Sequence, residues 1–182
     1  MPSLKGHLLI AAPQLSDPNF ARTVVLLIEH NDDGAFGVVL NRPSDTTVQE
    51  VWQQVGQDPT DSLEPINVGG PVPGPLLALH NAGPLSEGEV MPGIHLSTQR
   101  DTLDELVRSP AAFKLFSGYA GWGGGQLETE LSAGGWITRR ANRDYIFYGQ
   151  DDLWERVTKD ITDEVLRPVL KATCVPHDPS CN

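Results

Sequence analysis

The sequence predicts an α+β domain with a mixed, mostly antiparallel sheet. Strand-like segments alternate irregularly with amphipathic helical segments, and several successive strands lack a connecting helix, which argues against a doubly wound parallel sheet. The segment NDDG at 31–34 joins two strand-like segments and is typical of a β-hairpin, because Gly34 can supply the left-handed position of the turn. With 182 residues, 39% of them hydrophobic, the chain fits one compact domain, which we place at 1–172.

The hairpin is predicted to bring two distant pairs of residues together. Pairing of its strands across the turn places Arg22 and Thr23 beside Asn41 and Arg42, to within one or two residues in register. The opening strands are predicted at 6–11, 22–30 and 35–40.

A helix over residues 47–55 follows the hairpin. Its apolar residues recur at helical spacing, so one face is expected to pack on the sheet. We expect the residue that caps its amino terminus to be Ser44, Asp45 or Thr46.

The rest of the chain alternates between strands and helices. Residues 69–74 are expected to form a tight loop or a sheet edge, because their prolines cannot donate to a central ladder. Thr98 and Asp101 resemble a capping arrangement for one helix. Asp151 is expected to cap the last helix, and Pro168 to bend or end it. The strands are predicted at 65–68, 76–80, 94–96, 112–119, 136–139 and 145–148, and the helices at 99–108, 124–132 and 153–170.

The chain is acidic, with a formal net charge of −11 at pH 7. Nucleic acids and anionic membranes are bound by clustered positive charge, so direct binding to either is disfavoured. The local basic cluster of Arg139, Arg140 and Arg143 is interpreted as solvated surface. The amino terminus lacks the apolar core of a signal peptide, and no later stretch has the length of a membrane span. We therefore expect a cytoplasmic protein.

The segment 118–130 reads GYAGWGGGQLETE and contains five glycines. Glycine loops between a strand and a helix often cradle phosphate, because free backbone N–H groups and the helix dipole point at the anion. No Lys-Ser or Lys-Thr follows these glycines, and Glu128 and Glu130 would repel phosphate from the first helical turns. We interpret the segment as a tight structural turn packed by Tyr119 and Trp122.

The segment NRP at 41–43 ends a predicted strand, and its arginine has two possible roles. Arg42 either clamps an anionic group or pairs with a carboxylate of this chain, from Glu29, Glu128 or Glu130. Because acidic residues are abundant, the internal ion pair is favoured. Such a pair would tie the first hairpin to the glycine-rich segment.

Histidine and cysteine give no metal-site pattern. His80 ends an apolar strand, where it is either a general base or metal ligand or, as we favour, a neutral histidine bonded to a backbone carbonyl. No histidines have the spacing HxxxH or HxH, and no GxSxG motif is present. Cys174, His177 and Cys181 lie in a tail, 173–182, that we expect to be disordered, which favours adventitious metal binding or a disulfide formed on oxidation. We expect no metal site and no cofactor.

Several segments in order resemble the YqgE/AlgH family of bacterial proteins, from Leu8 to about Ile161. Family members often close with a small Gly-His-Ala stretch that is absent here, so a role assigned to that ending does not transfer. The matching segments are LIAAP at 9–13, DPNFARTVVLLIEH at 17–30, GAFGVVLNRP at 34–43, GGPV at 69–72, LH at 79–80, GYAGWGGGQLETE at 118–130, and Trp136.

The resemblance implies a compact α+β fold in which a branched, partly barrel-like sheet is surrounded by helices. It implies no activity. Some family members are described as affecting transcription of alginate biosynthesis genes, but the acidity of this chain disfavours direct contact with DNA.

The leading functional hypothesis is a ligand- or protein-binding, regulatory domain without established catalytic activity, acting on an unknown small ligand or protein partner. The alternatives are a transcriptional regulator that acts indirectly and a hydrolase in which a carboxylate or His80 activates water. In the binding hypothesis Arg42 clamps an anionic group and Glu128 orients it. Tyr119 and Trp122 form an aromatic wall, and His80 and Gln126 offer hydrogen bonds. The predicted surface consists of Asn41, Arg42, His80, Tyr119, Trp122, Gln126 and Glu128.

Overall fold

Ten strands form one branched sheet that curls into an antiparallel half-barrel, and five α-helices accompany it in the described part of the chain. The computed structural model describes the backbone of residues 2–55 and 58–173, and the side chains of these residues up to 167. This arrangement confirms the predicted α+β class. The strands are β1 (His7–Ala11), β2 (Val24–Asn31), β3 (Gly34–Val39), β4 (Pro43–Thr47), β5 (Pro65–Val68), β6 (Val72–His80), β7 (Gly88–Met91), β8 (Ile94–Ser97), β9 (Phe113–Gly123) and β10 (Trp136–Arg140). The helices are α1 (Val48–Gln54), α2 (Arg100–Arg108), α3 (Gln126–Ser132), α4 (Arg143–Phe147) and α5 (Leu153–Thr173), with a short 3-10 turn at Gly83–Leu85.

The sheet branches at β9. Its main path runs in the order β10-β1-β2-β3-β9-β6-β8-β7, with antiparallel neighbours throughout. The carboxyl half of β9 pairs with β3, where Gly123 lies opposite Gly34. The amino half pairs along the same edge with β5, in parallel, where Ser117 lies opposite Val68. β4 extends this branch by pairing with β5.

The predicted hairpin is present, with Asn31 opposite Gly34. Its far ends meet as expected, because the Asn41 side chain accepts a hydrogen bond from the Val24 N–H and donates one to the Arg22 carbonyl, both at 2.9 Å. The hairpin therefore fixes the residues that follow β3.

The glycine-rich segment is mostly strand, contrary to the tight turn predicted from sequence. β9 runs through Gly123, and only two glycines remain before α3, the second with a left-handed φ of 76°. Glycines within β9 and beside it allow neighbouring backbones in the sheet to approach closely. A Cβ added to Gly69 would overlap the carbonyl of Gly118, where β5 ends against β9.

Local structure departs from the sequence prediction at several termini. Residues 145–147 form the end of α4 and Tyr148 is its C-cap residue, so the strand predicted at 145–148 is wrong. The Asn142 side chain caps this helix through the Tyr145 N–H at 2.9 Å. α1 is capped by Thr47 in a reciprocal box with Glu50, one residue after the expected caps. Thr98 does not cap α2. It binds the carboxylate of Glu87 instead.

Two elements, β6 and α5, contain prolines and continue through them. β6 begins at Val72, and its register against β9 shifts between Val72 and Leu76, so that Pro73 and Pro75 need no ladder hydrogen bond. Helix α5 continues past Pro168 to Thr173 rather than ending there. The predicted disordered tail and its Cys174, His177 and Cys181 lie outside the described residues, apart from Thr173.

Alternation along the strands divides the core into clusters on the two faces of the sheet. Leu8 and Ile10 pack with α4 and α5 on one face, whereas Leu9 and Ala11 pack toward Trp122 and α3 on the other. A third cluster forms where α1 and α2 cover the branch made by β5, β6 and β9. Across the described residues, no helix combines the length and the apolar character needed to cross a membrane.

Candidate binding pockets

The residues predicted to form one site lie at opposite ends of β3. Arg42 follows the carboxyl end of this strand, whereas Glu128 lies beside the hairpin that precedes it and accepts a hydrogen bond from His30 Nε2 at 2.8 Å. β3 contains six residues, and at about 3.3 Å per residue it separates the two ends by roughly 20 Å. Glu128 therefore cannot orient Arg42.

Two pockets flank the connection between β1 and β2, residues 12–23. Pro18 and Asn19 of this connection line the first pocket, and Asp17 and Phe20 line the second. The first, named the Arg42 pocket, is lined by Pro18, Asn19, Arg42, Pro43, Gly70 and Pro71, among others. The second, named the indole pocket, is lined by Asp17, Phe20, Trp122, Gln126, Glu130 and Trp136, among others.

Arg42 is held in place without a carboxylate. One of its guanidinium N–H groups donates to the Ala21 carbonyl at 2.8 Å, and the side chain is half-buried. Within residues 2–55 and 58–167 it forms no ion pair, so the favoured pairing with Glu29, Glu128 or Glu130 is wrong. The pocket beside it has a volume of about 290 Å³.

Asn41 has a structural position beside this pocket. Its two hydrogen bonds bridge β2 and the turn at Arg22, which has a left-handed φ of 56° that is rare for a side chain of this size. Arg22 also pairs with Glu155 and stacks on Trp154, with its guanidinium carbon 4.8 Å from the ring centroid. Asn41 therefore stabilises the chain path that presents Arg42.

His80 is closed off from solvent. Its side chain is fully buried, its Nε2 lies 2.9 Å from the Ser97 hydroxyl, and its Nδ1 accepts the Ala82 N–H at 3.2 Å. Burial, followed by the nearby His95, lowers the pKa of His80. The expected neutral histidine is thus present, although its partners are a hydroxyl and a backbone N–H rather than a carbonyl. It belongs to neither pocket.

Tyr119 and Trp122 lie on opposite faces of β9, so they form no common aromatic wall. Tyr119 packs edge-on against Phe36, with ring centroids 6.0 Å apart. Trp122 instead joins Trp136 and Phe20. The Trp122–Trp136 centroid distance is 6.0 Å and the Phe20–Trp136 distance is 5.5 Å. Residues an odd number of positions apart on a strand point to opposite faces, which explains the separation.

Glu130 organises the indole pocket. One carboxylate oxygen accepts the indole N–H groups of Trp122 and Trp136, at 3.0 and 2.8 Å. The other accepts the Gln126 side-chain amide at 3.0 Å, and Gln126 in turn accepts the Gly123 N–H at 3.1 Å. Trp122 and Gln126 are thus brought together as predicted, with Glu130 rather than Glu128 as their carboxylate.

Sequence reasoning missed Glu130, Trp136 and Phe20 as pocket residues. Two signals were present: Gln126 and Glu130 have i,i+4 spacing on one helix, and a buried indole N–H requires an acceptor. In the described part of the chain, no group of three or more His, Cys, Asp or Glu side chains is placed to hold a metal ion.

Residues 8–165 match the family model DUF179, which is described as AlgH-like. The chain belongs to the AlgH-like family. The predicted resemblance is therefore confirmed. The AlgH-like segments quoted above for that resemblance meet in the two pockets: DPNF supplies a wall of both, NRP and GGPV contribute to the Arg42 pocket, and the glycine-rich segment contributes to the indole pocket.

AlgH-like relatives cover most of this chain. A UPF0301 protein of Ruegeria pomeroyi is 38% identical over 167 residues, which are 86% of this chain and 90% of the relative. A UPF0301 protein of Pseudomonas fluorescens is 40% identical over 158 residues, 82% of this chain and 84% of the relative. These relatives are named by family and not by activity.

Two solved structures share the AlgH-like fold. The solution structure of the AlgH protein from Pseudomonas aeruginosa superposes with a TM-score of 0.76 at 34% identity and covers 97% of each chain. The crystal structure of a protein from Corynebacterium diphtheriae gives a TM-score of 0.72 at 25% identity, with 88% of this chain and 87% of that chain covered.

Proposed function

We propose that this AlgH-like chain is a ligand-binding domain without catalytic activity of its own, and that the Arg42 pocket holds an anionic group of its ligand. The observation that carries the proposal is that the half-buried Arg42 guanidinium has no carboxylate partner in residues 2–55 and 58–167. The chain has 24 acidic residues, so a shortage of carboxylates does not explain why Arg42 is unpaired.

The pocket presents Arg42 in a fixed position. One N–H group is engaged by Ala21, which leaves four of the five guanidinium donors for a ligand. Pro18, Pro43 and Pro71 restrict the backbone around it, so little conformational entropy is lost when a ligand binds. A planar fork of donors suits a carboxylate or a phosphate, either of which can accept two parallel hydrogen bonds.

The acidity of the whole chain does not oppose this site strongly. At physiological ionic strength the Debye length is about 8 Å, so distant carboxylates are screened. The lining residues include Arg42 and no acidic side chain, so the nearest charge that an anion meets is positive.

His80 offers little to the alternative of a hydrolase, because its ring is fully buried and both nitrogens are engaged. An indirect role in transcriptional regulation, which the family resemblance suggests, is compatible with a ligand sensor and needs no contact between this acidic chain and DNA.

Isothermal titration with inorganic phosphate, acetate and citrate tests the proposal at neutral pH and constant ionic strength. We expect at least one of these anions to bind the wild type. The variant Arg42→Gln should weaken that binding by about tenfold, the loss expected for one charge-assisted contact. Arg140→Gln is the matched control, because it removes the same charge from an exposed position on β10. Equal weakening by Arg42→Gln and Arg140→Gln, or no binding of any of the three anions to the wild type, contradicts the proposal.

A further inference from the structure

The indole pocket is an open cavity of about 480 Å³ on the other side of the β1–β2 connection. That volume accommodates a small organic ligand or one long side chain. Among the described residues that line it, Asp17 and Glu130 are acidic and none is basic. The sign of its charge is therefore opposite to that of the Arg42 pocket.

The charge of the Glu130 carboxylate is oriented but not neutralised. Its three donors, the indoles of Trp122 and Trp136 and the amide of Gln126, are all uncharged. No Lys, Arg or His lies within ion-pair distance of it in the described part of the chain. A carboxylate accepts about four hydrogen bonds. One acceptor position is thus left for a ligand beside an uncompensated negative charge.

The aromatic wall is rigid. The two indoles meet edge to face and are anchored through their N–H groups, and each is only 5% exposed. Phe20 stacks on Trp122 at an interplanar angle of 28° and remains half-buried, so it is the ring with surface left for a ligand. Aromatic faces attract cations through their quadrupole, and they do so most strongly where water is partly excluded.

We propose that the indole pocket binds a cationic nitrogen, an ammonium or guanidinium group, which donates to Glu130 and lies against the Phe20 ring. Asp17, which is exposed at the pocket, adds attraction. An anion would be repelled by both carboxylates. A purely apolar ligand would leave the remaining acceptor of Glu130 desolvated and without a donor, which costs free energy. The site is separate from the Arg42 pocket and is independent of the function proposed above.

The experiment is a titration of ¹⁵N-labelled protein with n-butylammonium chloride, the analogue of a lysine side chain, followed through the tryptophan indole N–H resonances. The chain has four tryptophans. We expect Trp122 and Trp136 to shift with a Kd on the order of 1 mM, as befits so small a ligand. Trp52, whose indole binds Asp104 in a separate core cluster, serves as the internal reference and should not move.

Matched variants separate the pocket from the general acidity of the chain. Glu130→Gln should raise the Kd about tenfold, because it removes the charge while retaining an acceptor. Asp17→Asn, which does not touch the indole N–H groups, should raise it about twofold. Glu128→Gln removes one carboxylate from the same helix but outside the pocket, where Glu128 binds His30, and should leave the Kd unchanged.

Three results would overturn the proposal. One is an equal response to 1-butanol, the uncharged analogue, which would make the pocket merely apolar. Another is the absence of shifts at Trp122 and Trp136. The third is equal weakening by Glu128→Gln and Glu130→Gln, which would indicate attraction by net charge alone.

The same titration with the capped peptide acetyl-Gly-Lys-Gly-amide distinguishes two sources of the ammonium group. Binding about tenfold tighter than that of butylammonium indicates that the pocket receives a lysine from a polypeptide. Equal or weaker binding indicates a free amine as the ligand. Both results support recognition of the cation.

Discussion

Single residues in this structure show how burial changes the chemistry of a charged group. Lys114 lies on β9 opposite Leu79, in a half-buried position. Burial lowers its pKa from 10.5 to about 8, against the attraction of Glu64 and Asp151. The protonated amine is therefore less stable in the folded chain than in the unfolded chain.

Lys114→Met should stabilise the protein by about 1 kcal/mol at pH 7, a value reduced for solvent screening of the partly exposed amine. The folded pKa lies below the unfolded one, so the cost of the lysine is complete below about pH 8 and disappears as the pH rises toward 10.5. The advantage of the variant should shrink over that interval. Urea unfolding at pH 7 and pH 10 measures it, with Lys159→Met on the exposed side of α5 as the control. A constant difference between the two pH values would contradict the assignment.

At the scale of secondary structure elements, local features such as turns could be predicted from the sequence, whereas the tertiary contacts between elements could not. The hairpin was predictable because Asn, Asp and Gly specify its turn within four residues. The strand predicted at 145–148 was wrong because a short continuous run of apolar residues fits a helix as well as a strand, and Asn142 caps the helix that forms.

The two pockets show the same limit of sequence reasoning. Trp122 and Gln126 could be placed together because they are only four positions apart in the sequence. The distance between Arg42 and Glu128 depends on the register of β3 against β9, which sets Gly123 opposite Gly34 at the hairpin end. Nothing local in the sequence encodes that register, which is why the predicted ion pair is wrong.

The close approach of β5 and β9 gives a prediction at this scale. Gly69→Ala should destabilise the protein by about 3 kcal/mol, because the new Cβ would overlap the Gly118 carbonyl, which is backbone and cannot move aside. Gly88→Ala is the matched control, since a Cβ there meets nothing within 4 Å. Thermal unfolding of both variants tests the prediction. Similar melting temperatures would show that the branch of the sheet is not closely packed at Gly69.

For the whole molecule, His80 links stability to pH. Burial lowers its pKa below the ordinary value of about 6.5, so the unfolded chain takes up a proton first as the pH falls. The contribution of neutral His80 is complete above about pH 6.5 and is lost below it, with a slope of at most about 1.4 kcal/mol per pH unit.

We therefore expect the urea midpoint of the wild type to fall between pH 7 and pH 5, and the difference from His80→Gln to narrow over the same range. The His7→Gln variant is the control for removal of an imidazole from the sheet. A difference between wild type and His80→Gln that does not depend on pH would show that His80 titrates normally in the folded protein.

The connection between β1 and β2 forms a wall of both pockets, and its Ala21 carbonyl holds Arg42 while its Phe20 ring closes the aromatic wall. Whatever displaces this segment from one side alters the shape of the other. A ligand that moves this segment therefore couples the two pockets, and thermodynamic reciprocity makes that coupling symmetric: each ligand changes the affinity for the other by the same factor, in whichever order the ligands arrive.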